Sequence, residues 1–115
     1  MAVIALTTIE SFAGKSATVK WETLTRGDTG AWLNVENFSK FTFTFTGNFD
    51  SQTLTLQGSN LVTGVDAFTL KDQAAAALTT TTAGGKVSGE SPKYIRPSLG
   101  GSGGAADVDV VVRLV

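Results

Sequence analysis

Phe41-Thr-Phe-Thr-Phe-Thr46 decides the fold. Strict alternation puts the three Phe side chains on one face and the three Thr on the other, and a period of two belongs to the β-strand. β-Branched Thr suits a half-exposed strand surface. Burying the three Phe rings contributes on the order of 5–9 kcal/mol before conformational entropy is set against it. The same alternation continues outward. Leu54 and Leu56 point inward from Thr53-Leu-Thr-Leu-Gln57. Ala17, Val19 and Trp21 alternate with Thr18, Lys20 and Glu22, and Leu33 and Val35 alternate with Asn34 and Glu36. Val108, Val110, Val112 and Leu114 share a face near the end of the chain.

Glycine-rich turn signals separate these runs. They are Arg26-Gly-Asp-Thr-Gly30, Gly58-Ser-Asn60, Ala83-Gly-Gly85 and Ser88-Gly89. Thr46-Gly-Asn48 lies between the Phe run and the Leu run and predicts a hairpin joining them. Strands are expected near 2–8, 17–25, 31–36, 40–47, 52–58, 65–71, 92–98 and 107–115, with a further one within 78–88. About eight short strands at regular spacing predict an all-β antiparallel sandwich, jelly-roll-like, forming a single domain over 1–115. Lys71-Asp-Gln-Ala-Ala-Ala-Ala-Leu78 is either a helical turn, since Ala is the best helix former, or the tip of a hairpin. Residues 1–12 read as an N-terminal arm or strand, and residues 99–106, Leu-Gly-Gly-Ser-Gly-Gly-Ala-Ala, as a flexible glycine-rich loop.

Composition narrows the chemistry. The 115 residues include no Cys and no His. Disulfides, thiol catalysis and the commonest general base are therefore missing, and so is the commonest transition-metal ligand. Nine basic and ten acidic residues leave a formal charge of −1, so the chain has no broad electrostatic grip on nucleic acid or anionic lipid. No apolar run approaches the roughly 20 residues that span a bilayer. Met1–Thr8 lacks the basic start of a signal peptide, which points to synthesis in a cytosol.

Individual motifs point to no reaction. Asp107 and Asp109 share a strand face, and Asp66 and Asp72 flank an expected strand, but nothing places either pair across a cleft as glycoside hydrolysis requires. The serines have no histidine to activate them. Gly100-Gly-Ser-Gly-Gly104 lacks the Lys-Ser/Thr of a phosphate loop and runs into a strand. Arg26-Gly-Asp28 spells an integrin-type tripeptide but reads as a polar turn. Asn37-Phe-Ser39 matches a glycosylation sequon that matters only in a secretory pathway. No enzyme and no cofactor are expected. The aromatic residues are more informative. Trp21 alternates with Val19 and belongs in the core. Trp32 is out of phase with Leu33 and Val35 and belongs on the outer face, where an exposed Trp reads as a protein–protein anchor. Trp21, Trp32 and Tyr94 together also admit a sugar-binding platform, which competes with the core placement of Trp21.

Several segments in order carry a resemblance: Arg26-Gly-Asp-Thr-Gly30, Leu54-Thr-Leu-Gln-Gly-Ser-Asn60, Phe68-Thr-Leu-Lys-Asp72, Pro92-Lys-Tyr-Ile-Arg-Pro97 and Gly100-Gly101 before a valine-rich strand. The set, from about residue 17 onward, resembles the small jelly-roll cement, stapling or decoration proteins of short-tailed bacteriophage heads. Leu61-Val-Thr-Gly64 stands where relatives carry Asp-Gly and a Trp, and Phe68 stands near the position of that Trp. The resemblance implies a virion protein made in the bacterial cytoplasm. It would bind the capsid exterior, take the major capsid protein as partner, and self-associate, most simply as a dimer. The alternative is a glycan-binding module or another virion component of the neck, tail or fibre. The candidate interface comprises Val3, Ile4 and Leu6 of the N-terminal segment together with Trp32, Tyr94 and Arg96.

Overall fold

The computed structural model describes residues 3–12, 16–100 and 105–115. These form twelve strands: β1 (Val3–Ile4), β2 (Leu6–Phe12), β3 (Ser16–Leu24), β4 (Thr29–Gly30), β5 (Leu33–Asn34), β6 (Phe41–Asn48), β7 (Leu54–Ser59), β8 (Phe68–Thr69), β9 (Thr79–Thr80), β10 (Gly84–Val87), β11 (Tyr94–Leu99) and β12 (Asp107–Leu114). One sheet runs β10-β6-β12-β3-β2 and the other β1-β4-β11-β7-β8. In the second sheet β5 lies beside β11 in line with β4, and β9 lies beside β7 in line with β8. Two short strands thus fill one strand position on each flank, so the twelve segments occupy ten strand positions. From β3 onward the chain passes from sheet to sheet, and the last strand lies between β3 and β6. This is the nested order of a jelly roll.

The core forms where the alternating apolar rows of the two sheets meet. Phe41, Phe43 and Phe45 are buried, facing inward with Trp21, Val110 and Val112 from one sheet, and Leu54, Leu56, Ile95 and Leu99 from the other. The buried indole of Trp21 donates to the carbonyl of Ala31 (3.0 Å), which satisfies its one polar group.

The Phe run and the Leu run do not form a hairpin, contrary to the sequence expectation. Gly47 and Asn48 continue the ladder of β6 against Val108 and Asp107 of β12, and β7 lies in the opposite sheet. The physical reason is that both runs carry one apolar row. A hairpin sets two such rows side by side, whereas a sandwich sets them face to face and buries both. Gly47 (φ +117°) serves close strand approach, because a Cβ there would lie 2.2 Å from the Asp107 carbonyl oxygen. The chain actually turns at Phe49–Gln52, closed by the Gln52 N–H on the Phe49 carbonyl (2.8 Å).

The alanine run takes the second of its two readings, a hairpin tip. Lys71 pairs with Ala77. The Asp72 carboxylate accepts the N–H groups of Ala74 (2.8 Å) and Ala76 (2.9 Å), and Ala75 takes a left-handed φ of 62°. Leu70 and Leu78 are both buried and join Leu56 in a ring of three backbone hydrogen bonds of 2.8–3.0 Å. A helix over eight residues would hold them about 12 Å apart.

The expected strand at 2–8 breaks at Ala5 and continues to Phe12. β1 pairs in parallel with β4 in one sheet and β2 pairs with β3 in the other, so this segment straddles one open flank of the sandwich. The expected loop 99–106 is ordered at both ends. Leu99 is a buried strand residue, Gly100 donates to the Thr53 carbonyl (3.0 Å), Ala105 donates to Asp50 Oδ2 (2.6 Å), and Ala106 is buried. Residues 101–104 lie outside the described residues.

Candidate interaction surface

Alternation on β5 and β11 builds the site. Leu33 faces Ile95 across the strand pair and turns inward, which leaves Trp32 outside. Tyr94, Arg96 and Ser98 form the outward row of β11, and Arg96 stands opposite Gln57 of β7. The Arg96 guanidinium stacks on the Trp32 ring, 4.2 Å from its centroid, within cation–π range. Its Nε donates to Gln57 Oε1 (2.8 Å). Partial burial pulls the Arg96 pKa below the ordinary arginine value.

A rigid loop completes the surface. Between β7 and β8, residues 60–67 fold back so that Gly64 lies against Trp32. A Cβ at Gly64 would sit 2.7 Å from the indole nitrogen, and its φ is +70°. The turn is closed by Gly64 N–H on the Leu61 carbonyl and Ala67 N–H on the Gly64 carbonyl, both 3.0 Å. At its base the Ser59 hydroxyl bonds the Asp66 carboxylate, which also accepts the Asn60 N–H (3.2 Å). The Ser59 hydroxyl, joined by backbone N–H groups, holds the Asp66 pKa below the ordinary aspartate value despite an opposing desolvation effect. A loop so restrained exposes Leu61, Val62 and Val65, at 50%, 66% and 81% of their full surface. In the sequence Leu61-Val-Thr-Gly64 stands out only as a departure from a family pattern. Its signal was two adjacent apolar residues inside a glycine-bounded loop.

The expected interface residues divide between places. Trp32, Tyr94 and Arg96 share the outer face of one sheet, where Lys93 Nζ lies 5.7 Å from the Tyr94 ring centroid and 3.9 Å from Glu36. Val3 is exposed on β1, at the edge of that sheet, whereas Ile4 and Leu6 pack against the core. Trp21 is fully buried and contributes nothing to an aromatic platform. The Asp28 side chain is buried and accepts the Thr25 N–H (2.9 Å) and hydroxyl (2.7 Å), so Arg26-Gly-Asp28 is a stapled turn that does not present its carboxylate. Asp109 accepts the Thr23 N–H (2.8 Å) and lies 3.8 Å from Lys20. Among the described residues no group of three or more acidic side chains is placed to hold a metal ion, and no helix is long and apolar enough to cross a membrane.

Fold and site define a small jelly-roll sandwich with an aromatic, guanidinium and apolar patch on one sheet. The same fold occurs in the SPBc2 prophage-derived protein YomS, with a TM-score of 0.62 and 11% identity, over 91% of this chain and 98% of that one. It occurs in the K2 cleaved adhesin domain of Lys-gingipain, with a TM-score of 0.53 and 10% identity, over 97% and 83% of the two chains. It also occurs in a recombinant oxalate oxidase in complex with glycolate, with a TM-score of 0.53 and 9% identity, where 95% of this chain spans 49% of the enzyme. No protein-family model and no curated protein sequence matches the chain. Identities this low define the fold alone. A prophage protein, an adhesin domain and an oxidase share it, so function has to be argued from the site.

Proposed function

We propose that this chain is a virion protein of a tailed bacteriophage that binds the outer surface of the assembled head and strengthens contacts between major capsid protein subunits. The observation that carries this reading is the Trp32–Arg96 stack, backed at Gly64 by a loop that exposes Leu61, Val62 and Val65. A half-buried Trp and Arg beside exposed apolar side chains have the composition of an interface centre, not of a solvated surface. The resemblance of residues 54–60 and 92–97 to phage cement proteins agrees with it, as does the fold shared with a prophage-derived protein.

The mechanism is mass action. A protein that binds the closed shell and not its separated subunits adds its binding free energy to the shell. Many copies make a modest energy per copy large in sum. A dimer of this chain suits a two-fold position between capsomers.

The test is addition of purified protein to expanded heads that lack it. Saturable binding and a raised melting temperature of the heads are expected, with affinity reduced at least tenfold and the stabilisation correspondingly diminished by Trp32→Ala. Heads that neither bind the protein nor gain stability overturn the reading. Binding of glycans by the free protein, lost in the same variant, puts a sugar-recognition role in its place.

A further inference from the structure

Arg96 is the one part of the face whose chemistry is incomplete. On this face Lys93 pairs with Glu36, whereas among the described residues no carboxylate lies within ion-pair distance of Arg96. Its guanidinium is nevertheless fixed. Trp32 covers one face of the plane, Gln57 takes the Nε–H, and Gly64 backs the indole that holds the stack. Nε serves one edge of the planar fork, so the end-on edge, with the two terminal nitrogens, remains to receive a bidentate acceptor.

We propose that Arg96 is a preorganised receptor for the carboxylate of an Asp or Glu side chain, flanked by apolar residues, on a partner protein. This assignment rests on reading the Trp32 face as a protein interface. Two features select a protein carboxylate over phosphate. The site offers a single unpaired cation, which matches one negative charge and leaves a dianion half-compensated. The loop that meets the stack at Gly64 is apolar, and its exposed Leu61, Val62 and Val65 offer hydrocarbon to the residues flanking the acid. A guanidinium already partly desolvated and held in one orientation loses little further freedom on binding.

The experiment uses the full chain labelled with 15N, observing the Arg96 Nε–H and the Trp32 indole N–H. The buried Trp21 indole serves as an internal control of folding. The probes are the capped tripeptides acetyl-Leu-Asp-Leu-amide and acetyl-Leu-Asn-Leu-amide, sodium acetate and inorganic phosphate, each raised to about 20 mM, a range that detects millimolar affinity. The expected result is saturable shifts of the Arg96 and Trp32 signals with the Asp peptide, and shifts at least tenfold weaker with the Asn peptide, acetate and phosphate. Arg96→Gln should abolish the discrimination with the Trp21 signal unmoved, and Arg96→Lys, which keeps the charge and loses the fork, should retain only part of it. Equal shifts with the Asp and Asn peptides, or no shift with either, overturn the proposal. Acetate or phosphate acting as strongly as the Asp peptide overturns it in favour of a bare anion site. Heads bound normally by a protein that ignores the Asp peptide also refute the Arg96 assignment and leave head binding standing. A clear peptide response in a protein that binds no heads does the reverse.

Discussion

Thr23 shows how single residues are held against their own preference. β-Branched side chains disfavour a left-handed backbone by about 1–2 kcal/mol, yet Thr23 has a φ of 59°. It lies where β3 carries an extra residue against β12, between the pairs Val108–Leu24 and Val110–Trp21. Asp109 accepts its N–H across that irregularity. Asp109→Ala should therefore cost about 1 kcal/mol, read as a lower urea midpoint, whereas Asp109→Asn keeps an acceptor oxygen and should cost much less. A catalytic carboxylate would give the other pattern, both substitutions being equally damaging to activity. Gly64 makes a second case. Ala there meets both a left-handed backbone and the Trp32 indole, which cannot retreat from Arg96. Gly64→Ala should lower stability by about 1–2 kcal/mol and shift the emission of Trp32, leaving the buried Trp21 as it is.

At the scale of elements, the loop 60–67 has its own pH dependence. The folded loop favours ionised Asp66, so its pKa lies below the ordinary 3.8. A depressed carboxylate stabilises the fold fully above its unfolded pKa, and that contribution disappears as pH falls through the folded value. Acidification below about pH 4 should loosen amides 60–67 in hydrogen exchange before the strand ladders open, and Asp66→Asn should remove the pH dependence. Loosening of this loop at neutral pH, with none added by acid, would sever the link to Asp66. These elements also show what a sequence discloses. Alternation located β3, β5, β6, β7 and β12 because burial on one face writes a period of two directly into the residues. The partner of a strand is written less directly. Gly47 carried a turn signal but was needed for close approach to Asp107, and the alanine run carried helix propensity that Asp72 and the meeting of Leu70 with Leu78 overrode. Trp32 was legible from its phase. The loop that backs it was not, because glycine and polar residues announce a loop without saying that Ser59 and Asp66 will make it rigid.

For the molecule as a whole, the decisive element is β12. It lies between β3 and β6, so that Leu114 is paired with both Ala17 and Phe41, and within its sheet β2 and β3 are joined to β6 and β10 through it. Such distant pairing pays the entropy of closing a long loop before any contact rewards it, which makes folding slow and sensitive to the last strand. Val108, Val110, Val112 and Leu114 are all essentially buried. At about 1.5–3 kcal/mol each, their loss removes on the order of 6–12 kcal/mol, comparable with the roughly 5–15 kcal/mol that stabilises a domain. A chain ending at Ala106 should therefore lack the dispersed amide spectrum and the cooperative melt of the full chain. It should also lack the Trp32–Arg96 stack, although both residues lie in the opposite sheet, because that sheet has no core to rest on without its partner. Adding a synthetic peptide of residues 107–115 should restore the spectrum and the stack together. A truncated chain that kept its cooperative melt, or a peptide that restored one sheet without the other, would mean that the two sheets are stable apart, and the recognition face would then depend on β7 and β11 alone.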